Sequence, residues 1–358
     1  MERLQPVNAA KMRYTRLIGT GGIGRGILFR LLGAHTLGRS ESRLGTLTDA
    51  KDYCKLHIIF HYLAVMLGKN AAVLPIGAVG ADDAGRSLLV EIEQAGMDCA
   101  HIAVNPNAAT LFSVCYQYPD KTGGNITTAN SASGELTAAY IAERAAAIEA
   151  AMPVCDGQMV MAVPEVPLAA RVALLTYGRA SGSYNVASLL AEEVDDFLSA
   201  NGAALTDLLA VNRDEAAAIA CLPAEETDIQ IIVSTCWQRL AAMNPALSLL
   251  VTDGGGGSYV CVNGSVVHTP AFAADVVATA GAGDAFLAGT MAGLCLGLPL
   301  CGTVGVLDSA VELGTAMASI AVTSPDTIHF GLNARALAAD LAMRGLALAP
   351  IFASILPA

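Results

Sequence analysis

The chain has 358 residues, of which 54% are hydrophobic and 15% charged, and its formal net charge is −12. That length is enough for one large α/β domain, or two small ones, around a substantial core. The acidic balance and the lack of any Lys/Arg run longer than two residues argue against nucleic acid and anionic membrane surfaces as partners.

Strand-like and helix-like segments alternate along the chain. Residues 13–18 read as a first strand entering the glycine-rich run 19–26. Residues 53–67 read as a helix, 71–78 as a strand, and 85–95 as a helix turned at Gly96. A strand at 109–118, a turn at 119–124 and a return at 125–128 form a hairpin pattern. Helices at 137–151 and 168–177 flank a strand at 158–163, and a short strand at 183–187 precedes a helix at 191–200. The strand 208–211 leads into a helix at 214–220. After a helix at 229–243 come strands at 248–253 and 258–263, then helices at 285–298 and 309–323. Such alternation predicts a doubly wound, mainly parallel sheet with its ligand at the carboxyl ends of the strands.

Residues 285–307 carry no charge, a length that could span a bilayer, but Gly297 and Pro299 divide the run. Gly289, Gly293 and Gly297 are read as letting this helix lie close against its neighbours, so no membrane partner is expected. The nine cysteines, Cys155 among them, are scattered without a C-x-x-C pair. The N-terminal residues 1–16 are polar and basic, so reduced thiols and a cytoplasmic location are expected.

The most informative stretch is Ala278-Thr279-Ala280-Gly281-Ala282-Gly283-Asp284-Ala285-Phe286. Small residues let main-chain N–H groups converge on one point, and a helix starting there adds the positive end of its dipole. An acid at the lip of such an anion cradle suits phosphoryl transfer. Gly281, Ala282 and Gly283 would hold the charge building on the transferred group, and Asp284 would take the proton of the attacking hydroxyl. A plain turn before a helix gives the same string.

This segment resembles the second signature of the ribokinase-like carbohydrate kinases, the PfkB-type family, usually Asp-Thr-Thr-Gly-Ala-Gly-Asp. The run from Gly77 to Arg86 is similar to that family's first-half element and reads as a strand end, a turn and a capped helix start. Asn212-Arg213-Asp214-Glu215 matches the Asn-x-x-Glu motif, which would organise Mg²⁺ waters around ATP phosphates; a capping box is the alternative. Thr252-Asp253-Gly254-Gly255-Gly256-Gly257 resembles the family's nucleotide-phosphate turn through Thr252, Gly254 and Gly257, and also fits a hairpin turn. Thr315 falls near the adenine-side polar position. No Walker-A string is present, and Gly19 to Gly24 does not make a dinucleotide fingerprint.

The resemblance covers roughly residues 70–325. It implies a single ribokinase-like α/β domain over 1–358, with a doubly wound, mainly parallel sheet flanked by helices. A small β lid would come from segments near 13–26 and 109–128. It implies an ATP- and Mg²⁺-dependent kinase acting on a hydroxyl of a small molecule, a sugar or sugar derivative, and a homodimer through the lid. The alternatives are a nucleoside kinase of the same fold and a catalytically silent, ligand-sensing relative.

Three departures stand out. No acid lies between Ile18 and Glu41 to grip sugar hydroxyls, and the family's Gly-Gly and Asn positions fall on Cys54-Lys55 and Ile59. Arg25 and Lys55 are the expected substrate contacts, with Asn185, and would suit an anionic acceptor such as a sugar phosphate or sugar acid. The first Asp of the second signature is Ala278 here, so a monovalent cation is not carried over. His57 and His61 stand at i, i+4, a metal-capable spacing without a third ligand, and are read as helix-face packing.

Overall fold

Short, mostly apolar runs, such as Gln158–Ala162 with all five residues buried, set the centre of the molecule. The computed structural model describes residues 12–120, 122–153, 157–223, 226–302 and 307–346; Cys155 lies outside them. In chain order the first strands are β1 (Arg16–Thr20), β2 (Gly24–Leu31), β3 (Gly45–Leu47), β4 (Asp52–Tyr53), β5 (Ala72–Gly80), β6 (Ile102–Asn105), β7 (Leu111–Gln117) and β8 (Gly123–Thr127). They are followed by β9 (Gln158–Ala162), β10 (Tyr184–Ala187), β11 (Leu208–Asn212), β12 (Ser248–Thr252), β13 (Ser258–Val262) and β14 (Ser265–Thr269). The helices are α1 (Lys55–Leu67), α2 (Asp83–Ala95), α3 (Ala138–Ala151), α4 (Leu168–Ala180), α5 (Val194–Ser199) and α6 (Gly202–Leu205). After these come α7 (Arg213–Ala220), α8 (Ile229–Ala241), α9 (Ala282–Cys295), α10 (Ala310–Ala321) and α11 (Ala334–Met343).

Among the described residues nine strands form the central sheet, in the order β14-β13-β12-β11-β10-β9-β1-β5-β6. All neighbours from β12 to β6 are parallel, and only the β12–β13 and β13–β14 pairs are antiparallel. Crossovers between parallel neighbours place helices over both faces, which is the doubly wound α/β arrangement expected from the alternation.

A second sheet runs β3-β2-β7-β8, with β4 pairing β2. The glycine-rich run is therefore divided: β1 is a central strand, and Gly24 opens a strand of the second sheet that continues to Leu31. Residues 45–53 add two further short strands to it. The helix expected from residue 53 starts at Lys55, because Asp52 and Tyr53 pair with Gly26 and Arg25 as a strand.

Helices α9 and α10 are apolar on nearly every face and buried, as helices inside a core must be. They pack backbone to backbone: a Cβ on Gly289 would stand 2.7 Å from Gly314 Cα, and one on Gly293 2.7 Å from Ala310 Cα. Among the described residues no helix is long and apolar enough to cross a membrane. The Gly77–Arg86 element is a structural joint. Asp82 caps α2 through the Gly85 N–H at 2.8 Å and receives the Thr110 N–H and O–H at 2.8 and 2.6 Å.

Candidate active site

Helix α9 begins on Gly281, whose φ of 78° is left-handed and whose Cβ, if present, would stand 2.2 Å from the Thr327 carbonyl oxygen. Only glycine meets both conditions. The Ala285 N–H donates to Gly281 O at 2.9 Å, and the Ala282 N–H to Thr279 O at 3.2 Å. Helix geometry leaves the N–H groups of Gly283 and Asp284 without acceptors within the helix. A Cβ added at Gly283 would meet nothing within 4 Å, so open space lies before them. The anion-holding donors are thus better placed at 283 and 284 than at Ala282, whose N–H closes the turn.

Among the described residues, three cavities border this turn. The first, about 320 Å³, is lined by Asp52, Tyr53, Lys55, Tyr116, Gln117, Asn125, Glu165 and Asp284 among others. The second, about 300 Å³, is mainly apolar and glycine-walled, with Thr252, Gly254, Gly257, Phe272, Gly283, Phe286 and Thr315. The third, about 190 Å³, is lined by Asn212 and Glu215 and shares Lys55 and Asp284 with the first and Thr252 and Gly283 with the second. The parallel register that sets Asn212 beside Thr252 brings both to the carboxyl edge of the sheet.

The electrostatic centre is Lys55, whose Nζ stands 3.5 Å from Asp284 Oδ1. Burial raises the Asp284 carboxyl above its ordinary value, and the Lys55 ammonium pulls it back towards the ionised form. Asp284, Glu215 and Glu165 in turn hold Lys55 charged, well above the usual lysine range. Cys54, at the N-cap of α1, makes no side-chain capping bond; Glu165 caps the helix from a distant loop, its Oε2 receiving the Lys55 N–H at 2.8 Å. Glu165 has a left-handed φ of 74°, uncommon outside glycine and typical of constrained sites, and burial pushes its carboxyl up to about 7. Asn212 and Glu215 do form the reciprocal capping box, at 2.8 and 2.7 Å, while lining the third cavity. Burial raises Glu215, and Lys55 opposes it.

Gly281, Ala282, Gly283, Asp284, Asn212, Glu215, Thr252, Gly254, Gly257, Thr315 and Lys55 all line one or more of the three cavities. Two expected contacts fall elsewhere. The Arg25 guanidinium turns to Glu91 at 3.4 Å, and Arg25 lines none of the three cavities. Asn185 is fully buried in β10, where its amide donates to the Leu175 and Leu205 carbonyls at 2.7 Å each. With Arg25 outside and Lys55 facing Asp284, the cations expected for an anionic acceptor are not free to meet one. His57 and His61 are buried against Tyr53 and Phe330, and no group of three metal-binding side chains occurs among the described residues.

Sequence reading passed over two acids. Asp52 lies in the two-residue strand β4, just before α1, where no sequence motif marks it. Glu165 sits between Pro164 and Pro167 directly after a buried strand, a signal that was available. Both line the first cavity.

A family profile described as pfkB family carbohydrate kinase matches residues 61–334. A fructokinase from Klebsiella pneumoniae is 46% identical over 69 residues, 19% of this chain and 22% of that protein, so the match spans less than a quarter of its length. The structure of ribokinase from Cryptococcus neoformans var. grubii serotype A in complex with ADP superposes with a TM-score of 0.69 at 19% identity, over 91% of this chain and 100% of that one. A Burkholderia thailandensis nucleoside kinase in complex with inosine gives 0.67 at 16% identity, over 92% and 99%. At these identities the two structures show the shared fold, which is ribokinase-like.

Proposed function

Because this chain belongs to the pfkB family of carbohydrate kinases, we propose that it transfers the γ-phosphoryl group of ATP to a hydroxyl of a small sugar or sugar derivative. The carrying observation is Asp284, at the start of α9 where the three cavities meet, 3.5 Å from Lys55. The second cavity takes the nucleotide, its apolar walls of Phe272 and Phe286 beside the base and Thr252, Gly254 and Gly257 beside the phosphates. The first cavity takes the acceptor. The second sheet closes over that cavity as a lid, since Leu28, Tyr116, Gln117 and Asn125 come from it.

Asp284, whose ionised form Lys55 favours against the effect of burial, accepts the proton of the attacking hydroxyl. The Gly283 and Asp284 N–H groups and the α9 dipole face the charge on the transferred phosphoryl, already oriented and needing no rearrangement. Asn212 and Glu215 suit a Mg²⁺ ion held through its waters, because a single carboxylate with an amide is the donor set such indirect binding uses. When bound, that ion neutralises phosphate charge. Lys55 also bridges the two sides of the reaction, touching the base while its own N–H anchors on Glu165.

One observation favours a nucleoside as acceptor: Tyr53 and Tyr116 line the first cavity with Leu28 and Ile58, surfaces on which a base can pack. ATP consumption should be measured over neutral sugars, sugar phosphates, sugar acids and nucleosides, with and without Mg²⁺. Acceptor-dependent turnover in one class is expected. ATP binding without turnover on any of them would leave the ligand-sensing relative as the correct reading.

A further inference from the structure

The transfer step above leaves one carboxylate of the acceptor cavity without a task. Asp52 is 4% exposed yet lines that cavity. Its Oδ2 receives the Ser113 O–H at 2.6 Å and the Cys115 S–H at 3.3 Å, both from β7. Gly26 on the neighbouring strand keeps that arrangement possible, since a Cβ there would stand 2.2 Å from Asp52 Oδ2 and 2.1 Å from Ser113 Oγ. The backbone on either side is pinned as well. Tyr53 N–H donates to Thr327 Oγ1 at 2.9 Å, Thr327 N–H to Lys51 O at 3.0 Å, and Lys51 N–H to Asp326 Oδ1 at 2.8 Å.

A buried carboxylate has about four lone-pair sites and is costly to bury with any of them unused. The two neutral donors on Oδ2, with the Tyr53 N–H also favouring the charged form, fix the plane of the group but do not fill all its lone-pair sites, and Asp52 lines the cavity from which the rest can be served. Resting on the kinase reading above, we infer that Asp52 is the specificity-determining carboxylate of the acceptor cavity, accepting hydrogen bonds from a neutral, polyhydroxylated acceptor and turning away anionic ones. Ser113 and Cys115 are positioning residues that aim it. Rejection of anions follows from the walls: Asp52, Glu165 and Asp284 present three carboxyl groups, and Lys55, the one ammonium among the described lining residues, already faces Asp284. The acid missing after the first strand is thus supplied from β4, by a different route through the fold.

The test uses the full-length protein with D-fructose, D-ribose and inosine as neutral probes, and D-gluconate and D-fructose 6-phosphate as anionic ones. Turnover is read by ATP consumption, and acceptor binding separately by the shift in Tm without ATP. A neutral probe should be preferred. Asp52→Asn should raise its KM about 10–100-fold, the cost of an unmet hydrogen bond in a buried site, with the KM for ATP unchanged. Ser113→Ala should raise the same KM several-fold and leave the KM for ATP unchanged. Preference for an anionic probe overturns the inference, as does a KM unmoved by Asp52→Asn. If that variant does not fold, a KM unmoved by Ser113→Ala overturns it. Failure of every neutral probe to shift Tm overturns it too, whereas an ATP-induced shift judges the kinase reading independently.

Discussion

The two walls of the candidate site are made of different material. The phosphate-side wall is largely backbone: the turn at 279–283, the glycines at 254–257 and the ends of β11 and β12. Each of these is a short continuous stretch whose shape is set by its own turn and helix start. The acceptor-side wall is largely side chains: Asp52 from β4, Gln117 from β7, Asn125 from β8 and Glu165 from the loop after β9. Those groups meet only because two sheets close on each other. On the proposed reading, backbone donors would fix the reaction, since every phosphate presents the same oxygens, and side chains would fix the choice of acceptor, since each can differ alone.

The largest expected effect comes from breaking the point where the walls meet. Asp284→Asn removes the base but keeps shape and the N–H donors. It should lower kcat by about 10²–10⁴-fold, with ATP binding by calorimetry retained. Turnover near that of the unaltered protein would remove Asp284 from the mechanism and leave the turn as a binding element alone.

Helix α1 belongs to both walls, and its buried histidines give the next effect. His57 and His61 are 2% and 6% exposed, and no hydrogen-bond partner among the described residues reaches either His57 nitrogen or His61 Nδ1. Burial, with His61 and then Arg25 adding to it, lowers His57 to about 3; burial lowers His61 to about 4, with Glu91 opposing. Unfolded histidines titrate near 6.5, so below that pH the unfolded chain binds protons that the folded chain refuses. Their contribution is therefore intact above about pH 6.5 and is lost as pH falls towards 4, at about 1.4 kcal/mol per pH unit for each histidine. The raised carboxylates Glu165, Asp52, Glu215 and Asp284 act in the opposite sense, losing stability as pH rises through their folded values. The comparison must be made by difference. Between pH 6 and 4.5, urea unfolding of His57→Phe should show a slope against pH smaller by about one proton than the parent. Equal slopes would mean that His57 is charged or hydrated in the folded state.

The same contrast explains what could be read from the sequence. Gly281-Ala282-Gly283-Asp284 and Asn212 with Glu215 announce themselves, because their geometry is local and survives in the order of residues. The central sheet was equally readable, since β5, β9 and β12 are short apolar runs bounded by turns. Asp52 was not, because nothing near residue 52 reveals the register that pairs it with Gly26 or the carbonyl of Lys51 that receives Thr327. Arg25 and Lys55 looked alike as cations near a pocket, yet pleating sends one to Glu91 and the helix start sends the other to Asp284. Asn185 is a polar residue in a short strand, and only the packed neighbours show that Leu175 and Leu205 occupy its amide.

A smaller effect sharpens the description of the phosphate side. Gln at 215 can still accept the Asn212 N–H, so Glu215→Gln preserves the capping box and removes only charge. If Glu215 orders Mg²⁺ waters, the Mg²⁺ concentration for half-maximal rate should rise about 3–10-fold, with little change in acceptor KM. An unchanged Mg²⁺ titration would confine Asn212 and Glu215 to capping α7.

The smallest effect expected is the response to potassium, and it probes the edge of the backbone-built wall. Ala278 occupies the place of the signature's first Asp; it is 2% exposed, and its N–H donates to Val322 O at 3.2 Å, beside the Val277 N–H on the same oxygen at 2.8 Å. A methyl side chain supplies no oxygen to a cation, and Val322 O already receives two donors. Hard monovalent ions need several oxygen ligands, so the rate in potassium should stay within about two-fold of that in tetramethylammonium at equal ionic strength. Several-fold activation by potassium would mean that main-chain carbonyls around the turn hold the ion without a carboxylate. The phosphate-side wall would then be built of backbone even where it binds a cation, and its contrast with the acceptor side would be sharper still.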